Sequence, residues 1–121
     1  MSKTVLVVDD ELDILKIVSF RLKQAGYEVL TAEDGKEGLD LLRKERAGLV
    51  LLDIAMPVMD GYELCRIIKS DEALKKIPVV FLTASQPTSI EKKTKEYNAD
   101  AFLIKPFESG ELLATVRKFA G

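Results

Sequence analysis

Leu49-Val50-Leu51-Leu52-Asp53-Ile54-Ala55-Met56-Pro57-Val58-Met59-Asp60-Gly61 is the stretch that decides the fold. Leu49 to Leu52 are apolar without a polar alternate, so both faces of a strand here must be covered. An interior strand of a parallel sheet, with helices on each side, meets that need. The run ends in the carboxylate of Asp53, and Pro57 and Gly61 interrupt the chain before a helical period starts near Tyr62. Open α/β sheets bind ligands at the carboxyl ends of such strands. One strand-end aspartate by itself is ordinarily a loop cap, so Asp53 needs company before it signifies chemistry.

Outward from this stretch the chain alternates between two periods. Lys3 to Val8 is β-branched and strand-like; after Asp9-Asp10-Glu11, the positions Leu15, Val18, Leu22 and Ala25 follow a helical spacing that Gly26 ends. Glu28 to Ala32 is a shorter strand, and Asp34 with Glu37 forms a capping box for a helix turning Leu39 and Leu42 inward. The third helix carries Leu64, Ile67 and Ile68, and a polar connection, Ser70 to Lys76, leads to Ile77-Pro78, which must be extended. Val79 to Leu82 is a fourth strand ending in Thr83. Thr88 with Glu91 predicts a capped helix from about Ser89 to Tyr97, with Asn98 in the left-handed position that closes it. Ala101 to Ile104 is a fifth strand ending in Lys105-Pro106, and Ser109 is the predicted cap of a last helix bearing Leu112, Leu113, Val116 and Phe119. Five strand–helix pairs predict an α/β, doubly wound fold: a five-stranded parallel sheet with right-handed crossovers and helices on both faces.

The bulk composition narrows the functions. The 121 residues fit one domain, 1–121, with 47% hydrophobic and 31% charged residues, as in ordinary globular proteins. A net charge of −2 gives no basic footprint for direct nucleic-acid binding, and no apolar run approaches the roughly 20 residues of a membrane helix. Met1-Ser2-Lys3 leads straight into a strand without a secretory signal, and the single cysteine, Cys65, permits no internal disulfide. A cytoplasmic location is therefore expected, with Cys65 a packed small residue rather than a reactive thiol. The chain has no histidine. That removes the Ser-His-Asp triad, the histidine base and histidine-bearing zinc sites, leaving carboxylates, hydroxyls, lysine and backbone amides.

Those groups collect at strand ends: Asp9 and Asp10 after the first strand, Asp53 after the third, Thr83 after the fourth and Lys105 after the fifth. The second strand ends in Thr31-Ala32 and is chemically silent. Periodicity leaves two strand orders open. The chemistry selects the flavodoxin-like order 2-1-3-4-5, which brings strands 1, 3, 4 and 5 side by side and puts the silent strand at an edge. Converging carboxylates repel strongly, so they must either hold protons or share a cation. An open, all-oxygen site suits Mg²⁺ better than a Ca²⁺ cage. Adjacent aspartates reach one ion only if the chain turns at Asp10; otherwise Asp9-Asp10 is an acidic helix start. Mg²⁺, a lysine, a hydroxyl and a free carboxylate together equip a site for phosphoryl transfer.

Val7-Val8-Asp9-Asp10-Glu11, Asp53 to Gly61, Leu82-Thr83-Ala84 and Ala99 to Phe107 together resemble the receiver (response-regulator) domains of two-component signalling, including single-domain chemotaxis regulators. The resemblance covers the whole chain. It implies that Asp53 accepts a phosphoryl group from a sensor histidine kinase or phosphotransfer protein, with Asp9, Asp10, Asp53 and the backbone carbonyl of Ala55 around Mg²⁺. It further implies that Thr83 and Lys105 bind the phosphoryl oxygens and that the Lys105-Pro106 bond is cis. Thr83 and Phe102 would then act as the switch, reshaping the surface of the fourth helix, fifth strand and fifth helix for an output partner that the sequence does not identify. Two features depart from or qualify the pattern: the switch aromatic, often tyrosine, is Phe102, and small residues, Ala55 and Ser85, stand two places after Asp53 and Thr83. The lysines Lys92, Lys93 and Lys95 are balanced by Glu91 and Glu96 and read as a solvated face.

Three other functions share parts of this pattern. A haloacid-dehalogenase-type phosphatase also uses Asp, Mg²⁺, a hydroxyl and Lys, but its second aspartate would stand two residues after the first, where Glu11 or Leu12 is found. A flavodoxin-type cofactor binder needs a hydroxyl- or glycine-rich phosphate loop where Asp9-Asp10-Glu11 would repel phosphate. A non-phosphorylated receiver scaffold would lack part of the set, and no part is missing.

Overall fold

The computed structural model describes residues 3–56 and 58–121; the predicted breaker Pro57 lies outside them. The elements alternate as expected: β1 (Thr4–Val8), α1 (Leu12–Gln24), β2 (Glu28–Ala32), α2 (Gly35–Lys44), β3 (Leu49–Asp53), α3 (Gly61–Ser70), β4 (Val79–Thr83), α4 (Pro87–Glu96), β5 (Ala101–Ile104) and α5 (Ser109–Ala120). The sheet is parallel throughout, in the order β2-β1-β3-β4-β5. Its register pairs Val8 with Leu52, Leu52 with Phe81 and Phe81 with Phe102, so the strand ends form one level edge.

Strand alternation explains the two cores. Leu6, Val8, Val50, Leu52 and Phe81 point to one face and pack with Leu39, Leu42, Leu64, Cys65, Ile68 and Ile90 of α2, α3 and α4. Val5, Val7, Leu49, Leu51, Val80 and Leu82 point to the other and meet Leu15, Val18 and Leu22 of α1 and Leu112 and Val116 of α5. Burying one such side chain stabilises by about 1.5–3 kcal/mol, so the sheet rather than helix propensity holds these short helices in place. Cys65 is packed as expected: burial pushes its thiol up to about 11, and Sγ lies 3.5 Å from the Tyr97 carbonyl.

The helix ends follow local chemistry, with three corrections. Asp34 caps α2 by accepting from the Glu37 amide at 2.9 Å, while the returning Glu37 carboxylate takes the Glu33 amide. Asp60, not singled out in the sequence, caps α3 in the same way through Glu63, so this helix starts at Gly61. Thr88 does not cap α4. Pro87 occupies the first turn, where its fixed φ and missing N–H are favourable, so the helix starts earlier, from Gln86, which offers no side-chain cap. Ser109 likewise is the first residue of α5 rather than its cap; Glu108 holds that place, its amide donating to Glu111 Oε1 at 3.5 Å. Gly26 and Asn98 adopt positive φ, as their helix-closing positions require.

The connection from Ser70 to Lys76 is less polar in three dimensions than in sequence, because Leu74 folds back into the core. Lys69 ties this end of the sheet: Nζ donates to the Ile77 carbonyl at 2.9 Å and to Asp100 Oδ2 at 3.0 Å, and Asp100 Oδ2 also accepts from the Val79 amide at 2.8 Å. The starts of β4 and β5 are thereby fixed, and their far ends reach the functional edge in register.

Candidate functional site

All the chemistry-bearing residues predicted from strand ends meet at the carboxyl edge of the sheet. Asp9 follows β1 and is fully buried, Asp53 is the last residue of β3 and 4% exposed, and Thr83 is the last of β4 and 3% exposed. Lys105 follows β5, across a cis bond to Pro106. β1 ends at Val8 and the chain bends at Asp10, so the adjacent aspartates escape the opposite-face constraint of a strand. The helix-cap alternative does not hold for Asp10, because Glu11 is the N-cap residue of α1.

One carboxylate oxygen from each of Asp9, Asp10 and Asp53 lies within 4.8 Å of the other two. Lys105 Nζ donates to Asp9 Oδ2 at 2.7 Å and to Glu11 Oε1 at 3.0 Å, and stands 3.8 Å from Asp53 Oδ1. Backbone amides orient the acids: Glu11 donates to Asp9 Oδ1 at 2.9 Å and Ala55 donates to Asp53 Oδ1 at 3.3 Å. Thr83 Oγ1 donates to Ser85 Oγ at 2.8 Å and accepts from the Ser85 amide at 3.0 Å. Glu11, Asp53, Ala55, Thr83, Ser85 and Lys105 line an open cleft of about 300 Å³.

The electrostatics are those of an acid pocket short of positive charge. Burial, with Asp9 repelling and Asp10 adding to it, pushes the Asp53 carboxyl up to about 7 despite Lys105 and the Ala55 amide. Burial disfavours the Lys105 ammonium, but its bonds to Asp9 and Glu11 outweigh that and hold its pKa above the usual lysine value. One lysine therefore serves three carboxylates. An all-oxygen donor set this close, with one member pushed toward protonation, fits a hard divalent cation of the Mg²⁺ type.

Gly61 supports the site from behind. A Cβ there would run into the backbone carbonyl of Asp53 and would stand 2.7 Å from Ile54 Cα. α3 can approach β3 this closely only with glycine at its first position. Phe102 is half-buried, paired in register with Phe81 and packed against the cluster that contains Ile90. Two contacts had no readable sequence signal. Glu11 reaches Lys105 across 94 residues of chain, and Ser85, noted only for its size, engages the Thr83 hydroxyl.

The strand order and the acidic pocket at its carboxyl edge define the class: a flavodoxin-like (βα)5 signalling domain. Residues 5–117 match the response regulator receiver domain family, and the chain belongs to it. It is 41% identical over 115 residues to the probable transcriptional regulator ycf27 of Cyanophora paradoxa, covering 95% of this chain and 47% of that protein. The counterpart in Guillardia theta is 42% identical over 113 residues, 93% of this chain and 43% of that one. The chain thus spans about half the length of the curated relatives it matches. Among solved structures, the chemotaxis response regulator CheY4 of Vibrio cholerae superposes with a TM-score of 0.91 at 35% identity, covering 98% and 99% of the two chains. The receiver domain of the sensor histidine kinase PA1611 from Pseudomonas aeruginosa, whose active-site cleft coordinates a magnesium ion, gives 0.90 at 26% identity, covering 100% and 99%. As a receiver domain, the chain is a phosphoacceptor signalling domain of a response regulator.

Proposed function

We propose that residues 1–121 act as one phosphorylation switch in which Asp53 is the phosphoacceptor and a histidine kinase or phosphotransfer protein the donor. The observation that carries this reading is the meeting of Asp9, Asp10, Asp53, Thr83 and Lys105, from the ends of four strands, at one edge of the sheet beside an open cleft. Asp9, Asp10, Asp53 and the Ala55 carbonyl would hold Mg²⁺, which when bound supplies the charge that lets these acids ionise together and neutralises phosphoryl oxygens. An Asp53 carboxylate oxygen forms the new bond to phosphorus as the bond to the donor nitrogen breaks, and the imidazole leaves. Lys105 pairs with the transferred oxygens. Thr83 exchanges its bond to Ser85 for one to the phosphoryl group, and Phe102 takes the space Thr83 vacates, without a hydroxyl to add. The reshaped face of α4, β5 and α5 is read by a protein partner in the cytoplasm. No described helix is long and apolar enough to cross a membrane, and with a net charge of −2 the domain itself makes no direct nucleic-acid contact.

Incubation with Mg²⁺ and a small acyl phosphate, followed by intact mass measurement, is expected to add one phosphoryl group to the wild type and none to Asp53→Asn. Labelling that survives the substitution rejects Asp53. Phosphate released over many turnovers of a phosphate monoester supports the phosphatase instead, and neither labelling nor turnover supports the scaffold.

The pocket also sets a pH dependence for Mg²⁺. With Asp53 at about 7, binding below neutrality must expel its proton. Apparent affinity is expected to fall by up to about tenfold for each pH unit below 7, with proton release approaching one per ion. Calorimetric titration in buffers of different ionisation enthalpy measures both; an affinity unchanged between pH 7 and 5.5 contradicts the assignment of Asp53 as a ligand.

A further inference from the structure

Glu11 takes no part in the scheme above, yet its carboxylate is one of the two groups that hydrogen-bond Lys105. It is the N-cap residue of α1, but its side chain makes no capping bond; it reaches instead to Lys105 Nζ at 3.0 Å. The ammonium is nearer to Glu11 than to Asp53, at 3.8 Å, although Asp53 is the group it would serve. The Glu11 side chain is 61% exposed and lines the mouth of the cleft, whereas Asp9, the other partner, is fully buried beneath it. Lys105 is therefore held between a buried internal acid and an exposed external one.

We propose that Glu11 is a positioning residue that holds Lys105 at the cleft mouth in the resting protein, so that a phosphoryl group on Asp53 recruits the lysine only by competing with Glu11. This inference rests on the reading of Asp53 as phosphoacceptor. The competing pair is partly exposed, where ion pairs are weak, so the effect is a bias on the switch rather than a block. Removing it is expected to raise affinity for a phosphoryl group by about two- to five-fold.

Glu11→Asp and Glu11→Gln separate this role from simple repulsion of anions at the mouth. Aspartate keeps the charge but is one methylene shorter and is a strong N-cap, so its carboxylate is drawn to the start of α1 and away from Lys105. Beryllofluoride with Mg²⁺ serves as the phosphoryl mimic, and the Lys105 Nζ resonance is followed by ¹⁵N NMR in the metal-free protein. Both variants are expected to bind the mimic about two- to five-fold more tightly and to shift the Lys105 signal. If Glu11→Gln tightens binding while Glu11→Asp matches wild type, Glu11 acts by charge alone and the proposal falls. It falls equally if the Lys105 signal is unmoved in both. Failure of the phosphoacceptor reading looks different: wild type then binds no mimic, while the Lys105 signal still reports its contact with Glu11.

Discussion

In metal-free buffer at pH 8, Asp53→Asn is expected to melt well above the wild-type protein, although it abolishes the proposed function. Asp53 is almost wholly buried and its carboxyl sits at about 7 in the folded chain, against an ordinary value of 3.8. A carboxyl raised on folding binds its proton more tightly in the native state. Its contribution to stability is therefore greatest in acid, declines as pH rises from about 4 to about 7, and is a full penalty above that. A shift of this size corresponds to roughly 2–4 kcal/mol, or about 8–16 °C in melting temperature for a domain of this length. Asparagine removes the charge and keeps the shape, and Lys105 retains Asp9 and Glu11. Thermal melts across pH 5–8 with and without Mg²⁺ provide the check. The wild type should lose stability with rising pH and regain it with the ion, and the variant should do neither. A variant that melts below wild type at pH 8 would show that Asp53 is compensated in some way the geometry does not reveal.

Gly61→Ala is expected to damage both fold and site. The added carbon meets the carbonyl of Asp53 and the Cα of Ile54, which are backbone atoms unable to swing aside. Either α3 lifts from β3 or Asp53 is pushed into the cleft. Overpacking of this kind costs about 1–3 kcal/mol, a fall on the order of 10 °C. An ångström of displacement at a reacting group can remove about a hundredfold in rate, so phosphorylation by a small donor should slow at least tenfold. Gly110→Ala is the control: it lies in α5 with nothing within 4 Å, and alanine there should be neutral or slightly stabilising. Melts and initial labelling rates of both variants decide the matter; an unimpaired Gly61→Ala would mean that α3 and β3 are not in such close contact.

Much of this was legible in the chain because the signals were local. The apolar run Leu49 to Leu52 announces a doubly covered strand, and four of the five strand runs carry a reactive residue as the next letter. The order of the strands was not legible from periodicity. It followed only from asking which arrangement gathers Asp9, Asp53, Thr83 and Lys105, and the sheet has that order. What escaped was competition among neighbours. Thr88 looked like a cap because it precedes a glutamate by three, but Pro87 fixes the backbone one residue sooner. Leu74 looked like part of a polar linker, since nothing nearby in sequence tells it that a core lies within reach. Glu11 and Lys105 are joined by folding alone, and no spacing rule spans 94 residues.

α4 follows the loop after Thr83, and of its ten residues only Ile90 and Thr94 are buried; no side chain caps its start. A helix moored at two points has little to lose by tilting or sliding. The other four helices bury three or four residues each, so of the five α4 is the most lightly held. If Thr83 moves as proposed, α4 is where the interior yields first.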